Sequence, residues 1–261
     1  MIPPLLGMAF VLGLLVGLIS MLRRWAGAIH PELLRKLLHV AMGLAATVFP
    51  WLFGSAWPVL ALAAITLPGM LALRHSALLQ RHFGGVIDGI HRRSWGEIAF
   101  PAGVCLAFIL SNGDPLRYCL PVALLALADP AAALVGLQFG RRGYATADGE
   151  KTIEGSLAFF VVAFVSAQSI LLLMTGMGHI AILLIAALLS CLLMIVEALS
   201  WAGLDNLFIP VFGFAILNVL LSLEPTTLLG ILALAICAAG VLALRARPIR
   251  IDDRDLYLSR R

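Results

Sequence analysis

Apolar residues occur along the chain in long runs that charged residues, glycines, prolines and polar stretches interrupt. Most runs are about 16 to 22 residues long, the length that a helix needs to cross the hydrocarbon core of a bilayer. The pattern predicts about nine membrane-spanning helices. They fall near residues 3–21, 37–53, 56–73, 98–111, 117–138, 156–174, 178–197, 207–222 and 226–244. The predicted fold class is therefore all-α, a polytopic helical bundle in a membrane.

Composition supports a membrane protein and excludes several other classes. Hydrophobic residues make up 62% of the chain and charged residues 12%, against roughly 45–50% and about 25% in soluble domains. Low charge argues against disorder, and all four cysteines lie inside apolar runs, which argues against a disulfide scaffold. We expect one transmembrane domain over residues 1–245 and a short charged cytoplasmic tail over 246–261.

The distribution of basic residues predicts the orientation. With the N-terminus outside, 17 of the 18 Lys and Arg residues fall on the inner side and Arg117 alone falls outside, as the positive-inside rule requires. This favours an integral protein of a prokaryotic inner membrane with a cytoplasmic C-terminus. The inner positive charge suits anionic membrane lipids, and its scatter over several loops argues against nucleic-acid binding. The pattern leaves the oligomeric state open.

An acidic residue inside a predicted span is the first candidate for chemistry, because ionisable groups are costly in hydrocarbon. On an ideal helix, Gly136 and Gly140 lie about 20° either side of Asp129. The glycines suit either close packing of two helices or the approach of a ligand. Asp129 itself is predicted to hold Mg²⁺, which prefers carboxylate and phosphate oxygens.

The following inner loop carries basic and hydroxyl side chains that could hold phosphate groups. Its candidates are Arg141, Arg142, Lys151, Thr152, Glu154, Gly155 and Ser156. The two arginines could equally be membrane anchors, and Glu154 could be a cap paired with Lys151. A phosphate-binding P-loop is not predicted, because the Gly-Lys pair and the upstream glycine are missing and no strand is expected before Lys151.

Polar groups next to other spans are predicted to face the same side. Arg35, Lys36 and His39 stand at the start of the second span, and Glu197, Asp205 and Asn206 surround the loop after the seventh. That loop lacks basic residues, which a metal or a metal-bound phosphate would explain. A capped turn, with Asp205 or Asn206 as N-cap, explains it equally well.

With these residues in place, the chain resembles the CTP-dependent family of membrane lipid kinases that includes phytol kinase and dolichol kinase. The resemblance spans roughly residues 31–215. It rests on Arg35-Lys36 with His39, Ser94-Trp95-Gly96-Glu97 before Phe100-Pro101, Ala128-Asp129 with Gly136 and Phe139-Gly140, Lys151-Thr152-Ile153-Glu154-Gly155-Ser156, and Asp205-Asn206 with Ile209-Pro210.

The resemblance implies transfer of the γ-phosphoryl group of CTP to the hydroxyl of a phytol-like or polyprenol-like lipid alcohol at the cytoplasmic face. Such a reaction needs charge neutralisation and positioning. We expect Asp129, Glu154 and Asp205 to hold Mg²⁺, and Asp205 or Glu197, with His39 as a rival, to act near the alcohol oxygen. The residues expected to bind the nucleotide are Arg35, Lys36, Gly136, Gly140, Arg141, Arg142, Lys151, Thr152, Gly155, Ser156 and Asn206.

Two alternatives remain at this point. The middle motif is also similar to phosphatidate cytidylyltransferase, although the downstream His-Gly-Gly and Asp-Arg-x-Asp elements of that family are missing here. An ion-coupled transporter would use Asp129 and Glu197 as a relay. It would also place polar residues near the middle of several spans, whereas most polar groups of this chain gather at one face.

Overall fold

A computed structural model describes residues 3–25, 29–75, 95–146, 149–245 and 249–250. Within them the chain forms ten helices and three short strands. In order, these are α1 (Pro4–Arg23), α2 (Pro31–Thr47), α3 (Phe49–Leu52), α4 (Trp57–His75), α5 (Gly96–Ser111), α6 (Pro115–Phe139), β1 (Arg142–Thr146), β2 (Gly149–Thr152), α7 (Ile153–Met174), α8 (His179–Leu199), α9 (Asp205–Leu221), α10 (Pro225–Arg245) and β3 (Ile249–Arg250).

Helix α6 forms the centre of the bundle and separates two hydrophobic cores. One core joins Leu120 and Leu124 of α6 to side chains of α7, α8 and α9. The other joins Tyr118 and Val122 of α6 to α1, α2, α4 and α5. The helix continues through Pro130, although proline removes a backbone donor. Helices α2, α7 and α9 pack around α6, and Asp129 is buried inside the bundle.

The prediction of nine membrane-spanning helices is not supported. By length and composition, four described helices are suited to cross a membrane: Pro4–Leu22, Pro115–Phe139, Ile153–Met174 and His179–Leu199. Four other apolar helical stretches of the described residues are shorter, namely Trp57–Ala72, Gly96–Ser111, Asp205–Leu221 and Pro225–Ala235. The predicted span at 37–53 in fact lies in two helices, because α2 begins at Pro31, ends at Thr47 and is followed by the separate α3. Charged residues in the first half of α2 make it a helix with a polar end.

The expectation of an exclusively helical chain needs one correction. A small antiparallel sheet with the order β2-β1-β3 follows α6. Strands β1 and β2 form a hairpin that pairs Tyr144 with Lys151, and β3 pairs Arg142 with Arg250. Lys151 thus lies in a strand, so the expectation that no strand comes before Lys151 is wrong. The glycine spacing still argues against a P-loop. The expected tail at 246–261 contributes β3, and its other residues lie outside the described part.

Candidate active site

Charged side chains from five elements meet at one end of the bundle. We call Lys36, His39, Asp129, Lys151, Glu197 and Asp205 the charged cluster. Helix α2 contributes the first two, α6 contributes Asp129, and β2, α8 and α9 each contribute one of the others. The sequence predicted all six as site residues, and the structure brings them together.

The centre of the cluster is a buried ion pair between α2 and α6. Nζ of Lys36 donates to Oδ2 of Asp129 at 2.7 Å, and each residue is 5% exposed. Such a pair needs good geometry to offset the cost of removing both charges from water. Helices α2 and α6 approach closely because Gly43 lies against Ala126, where a side chain at position 43 would collide.

His39 lies beside this ion pair in a defined orientation. Its Nε2 atom is 3.2 Å from the carbonyl oxygen of Leu125 and 3.8 Å from Oδ2 of Asp129. A carbonyl oxygen only accepts hydrogen bonds, so this contact requires hydrogen on Nε2. A neutral His39 ring therefore carries its lone pair on Nδ1, which makes that atom the basic one.

A second ion pair joins the hairpin to α8. Nζ of Lys151 donates to Oε1 of Glu197 at 2.7 Å and also to the backbone carbonyl of Glu197. Among the described residues, the other carboxylate oxygen, Oε2, is buried and has no hydrogen-bond partner. Buried polar atoms are nearly always partnered, and this oxygen is available to accept a hydrogen bond from water or from a bound molecule.

The hairpin positions Lys151 through Tyr144. These two residues are directly opposite each other in the β1–β2 register, so their side chains project from the same face. The Tyr144 hydroxyl lies 2.7 Å from Oγ of Ser156 on α7. Burial is the main cause that raises the pKa of Tyr144, which keeps the hydroxyl protonated and able to donate. Tyr144 was not predicted; the Asp148-Gly149 pair, which is common in turns, is the sequence signal for a turn at this point.

Asp205 adds a third carboxylate at the start of α9. It interacts electrostatically with Asp129, Lys36 and Lys151, and its Oδ1 accepts a hydrogen bond from the backbone N–H of Asn206 at 2.9 Å. Within the described chain Asp205 forms no ion pair. The charged cluster thus contains three carboxylate groups and two lysine ammonium groups, so its carboxylates outnumber its lysines.

Asn206 fastens α9 to the beginning of α5. Its Nδ2 donates to the carbonyl of Gly96 at 3.0 Å, while its buried Oδ1 lacks a partner among described residues. Gly103 on α5 allows this approach, since a Cβ there would collide with the Asn206 backbone. Asn206 therefore has a clear packing role, and its predicted contact with a nucleotide stays a prediction. Ser94, which belongs with Gly96 to the predicted Ser94-Trp95-Gly96-Glu97 motif, lies outside the described residues.

Of the three predicted metal ligands, Asp129 and Asp205 lie together and Glu154 does not. Oε2 of Glu154 accepts from the backbone N–H groups of Arg141 at 3.1 Å and Arg142 at 3.3 Å. No group of three His, Cys, Asp or Glu side chains able to hold a metal exists in the described ranges. The two neighbouring aspartates nevertheless suit Mg²⁺, which usually takes one or two carboxylates and completes its shell with water and substrate phosphates.

The predicted glycine stripe serves to pack α6 against α7. A Cβ at Gly136 would lie 2.8 Å from Oγ1 of Thr152, and one at Gly155 would lie 2.8 Å from the Ala132 carbonyl. Gly140 is equally crowded by Thr152. The Thr152 hydroxyl meanwhile caps α7 by accepting from the Gly155 N–H at 3.1 Å. Helix packing, one of the two interpretations of the stripe, thus has direct contacts in its favour, and nucleotide binding by these four residues stays a prediction.

The remaining predicted basic residues lie on α2 and beside the hairpin. Arg35 binds Glu32 through two hydrogen bonds of 2.9 and 2.5 Å and interacts electrostatically with Asp129 and Asp205. Arg141 and Arg142 are exposed beside the hairpin. Sequence reasoning missed Glu32 as a functional partner, although its i, i+3 spacing to Arg35 was a usable signal.

Comparisons with known proteins agree with the resemblance inferred from the motifs. Over 181 residues, the chain is 26% identical to a phytol kinase from Synechocystis sp., covering 69% of this chain and 75% of that protein. No protein-family model matches the chain. No solved structure matches it. The similarity confirms the predicted resemblance to the phytol and polyprenol kinases, and the apolar helices agree with a membrane protein.

Proposed function

We propose that this relative of the phytol kinases is a membrane enzyme that transfers the γ-phosphoryl group of CTP to the hydroxyl of a phytol-like or polyprenol-like lipid alcohol. The alcohol oxygen forms a bond to the γ-phosphorus, the bond from that phosphorus to the bridging oxygen breaks, and CDP leaves. The observation that carries the proposal is the charged cluster at one end of an apolar bundle, in which Lys36, Asp129 and Glu197 are buried and the partly buried Lys151 pairs with Glu197.

Two basic regions suit the triphosphate. Lys151 is the residue we assign to the transferred phosphate, because its ammonium group is held by Glu197 and interacts electrostatically with Asp205. The exposed side chains of Arg141 and Arg142 follow α6 directly and suit the outer phosphates. Phosphoryl transfer depends mainly on such charge neutralisation and alignment.

Asp129 and Asp205 are the residues that we assign to Mg²⁺. When bound, the metal would neutralise phosphate charge. It would also relieve the electrostatic repulsion between the two aspartates. Lys36 then has a positioning role, since its ammonium group holds one oxygen of Asp129.

The proton of the alcohol needs an acceptor near the attacking oxygen. We assign this role to His39, because the hydrogen bond to Leu125 leaves the Nδ1 lone pair as its basic site. The sequence favoured Asp205 or Glu197, but Glu197 already holds Lys151 and Asp205 is assigned to the metal. Oε2 of Glu197, which has no hydrogen-bond partner within the described part of the chain, suits a nucleotide hydroxyl or a water molecule.

We further propose that the site faces the cytoplasm of a prokaryotic cell. The basic residues support this orientation, as does the need to meet a soluble nucleotide and a membrane-bound alcohol together. Arg81, Arg92 and Arg93, which contribute to the count of basic residues, lie outside the described part of the chain.

Labelled CTP tests the reaction. With purified protein, Mg²⁺ and geranylgeraniol or phytol, CTP labelled at the γ-phosphate should deliver label to a lipid monophosphate and release CDP. CTP labelled at the α-phosphate should leave the lipid unlabelled. Label that arrives from the α position with phosphatidate as acceptor, together with release of pyrophosphate, would replace the kinase by a cytidylyltransferase. Parallel reactions with ATP and GTP test the preference for CTP.

A further inference from the structure

The start of α7 is hydrogen-bonded to the segment that joins α6 to the hairpin. Helix α6 ends at Phe139, and Gly140 is its C-cap. Beyond this cap, Oε2 of Glu154 accepts from the backbone N–H of Arg141 at 3.1 Å and from that of Arg142 at 3.3 Å. One carboxylate oxygen on α7 therefore satisfies the first two N–H groups that follow the α6 cap, and it ties the beginning of β1 to α7.

A second hydrogen bond ties the middle of β1 to the same part of α7. The Tyr144 hydroxyl lies 2.7 Å from Oγ of Ser156, two residues after Glu154. Thr152, which ends β2, caps α7 by accepting from the Gly155 N–H at 3.1 Å. The first turn of α7 thus contacts β1 at its beginning and at its middle, and it follows directly from β2.

Two basic side chains share one face of the hairpin. Residues two apart on a strand project from the same face, so Arg142 shares the face of Tyr144. Lys151 is directly opposite Tyr144 in the β1–β2 register and projects from this face too. Lys151 has a support of its own, because Glu197 holds its ammonium group at 2.7 Å. Arg142, in contrast, is held by Glu154 through its backbone N–H.

We infer that Glu154 is a positioning residue whose carboxylate holds the hairpin so that Arg141 and Arg142 bind the outer phosphates of the nucleotide. The inference rests on the proposed function, which assigns these phosphates to the two arginines, and it gives Glu154 a role other than the metal binding predicted from the sequence. Glu154 lies in the first turn of α7, where the helix dipole favours a negative charge. The dipole and the two N–H groups together account for a carboxylate at this position.

Two substitutions of Glu154 distinguish positioning from metal binding. Glu154→Gln keeps a side-chain oxygen that can accept from the two N–H groups, but it removes the negative charge that Mg²⁺ prefers. Glu154→Ala removes the acceptor as well. For a positioning residue, KM for CTP should rise by less than about threefold in Glu154→Gln and by at least about tenfold in Glu154→Ala, since only the second loses the hydrogen bonds. In both variants kcat should change much less than KM, because Lys151 keeps its ion pair with Glu197.

Glu150 provides a matched control in the same hairpin. It is exposed and lies opposite Ala145, on the other face of the sheet from Lys151. Glu150→Ala changes the charge as Glu154→Ala does and should leave KM for CTP close to the wild type. Equal increases of KM in the two alanine variants would assign the effect to lost charge and overturn the inference. A loss of kcat in Glu154→Gln that higher Mg²⁺ concentrations restore would make Glu154 a metal ligand, and this result decides the question even if Glu154→Ala does not fold.

Hydrogen exchange and CTP binding separate this inference from the proposed function. In the full-length protein in detergent, backbone amides of residues 141–146 should exchange at least about tenfold faster in Glu154→Ala than in the wild type, because their attachment to α7 is lost. If exchange rises and CTP binding weakens but no alcohol is phosphorylated, the kinase proposal fails and the positioning role stands. If phytol is phosphorylated but Glu154→Ala changes neither exchange nor KM for CTP, the kinase proposal stands and the positioning role fails.

Discussion

Nζ of Lys36 lies 2.7 Å from Oδ2 of Asp129, and both residues are almost fully buried. The two residues are 93 positions apart in the sequence. Their contact joins the polar end of α2 to the central helix. The Asp129 carboxylate therefore has two roles in our proposal: it pairs with Lys36 within the bundle, and it provides negative charge for binding Mg²⁺.

A double-mutant cycle separates these two functions. Lys36→Met should destabilise the protein by about 3–5 kcal/mol, because it leaves a buried carboxylate without its cation. Asp129→Asn added to Lys36→Met should recover part of the thermal stability measured in detergent, since no unpaired charge remains. Phosphoryl transfer should stay at least about 100-fold below wild type in the double variant, because the metal-binding charge is gone.

Two results would contradict this account. Near wild-type turnover by Asp129→Asn across a range of Mg²⁺ concentrations would make Asp129 a packing residue. Loss of stability in the double variant equal to the sum of the single losses would show that the two side chains are not coupled.

A substitution of His39 tests its role as proton acceptor, and the midpoint of thermal unfolding serves as the control for an intact fold. His39→Gln retains an N–H group that can donate to the Leu125 carbonyl but removes the basic nitrogen. We expect kcat to fall by about 10²–10⁴-fold while the midpoint of thermal unfolding changes little. Retained activity would move the proton-accepting role to Asp205 or Glu197.

Lys151 and Glu197 should differ in their effects on the nucleotide. Lys151→Met removes the ammonium group, so kcat/KM for CTP should fall by at least about 100-fold. Glu197→Gln leaves an amide oxygen and the backbone carbonyl as acceptors for Lys151, so its loss should be distinctly smaller. A larger loss in Glu197→Gln than in Lys151→Met would assign direct chemistry to Glu197.

Glycine substitutions distinguish packing from nucleotide binding on α6. Gly136→Ala would place a Cβ 2.8 Å from Thr152 Oγ1, whereas the exposed Gly17 of α1 has no atom within 4 Å of such a Cβ. We expect Gly136→Ala to lower the unfolding midpoint in detergent and Gly17→Ala to leave it unchanged or raise it, since alanine favours helices by about 1 kcal/mol. Unchanged stability of Gly136→Ala with loss of CTP binding would instead support a nucleotide contact.

The orientation can be measured with reporter fusions. A reporter that is active only in the cytoplasm should give signal when it follows Arg261, because positive residues are retained on the inner side. Signal from a periplasmic reporter at the same position, with silence from the cytoplasmic one, would reverse the proposed orientation of the site.

The sequence alone determined the class of the protein and the residues that carry its charge. Long apolar runs require a lipid environment, because a soluble fold could not cover them. Ionisable residues are costly in such an environment, so Asp129, Lys151, Glu197 and Asp205 could be singled out without coordinates. The motifs around them also predicted a resemblance that the similarity to a phytol kinase confirms.

Only the tertiary structure decided how those residues are paired. Hydrophobic periodicity reports on one helix at a time, so it could not show that Lys36 pairs with Asp129 or that Glu154 faces the Arg141 and Arg142 backbone instead. It also overestimated the number of spans, because the apolar composition of a helix does not state whether lipid or protein surrounds it. The hairpin that positions Lys151 depends on cross-strand pairing with Tyr144. Such contacts arise between segments that pack together, and their geometry exists only once the helices have met.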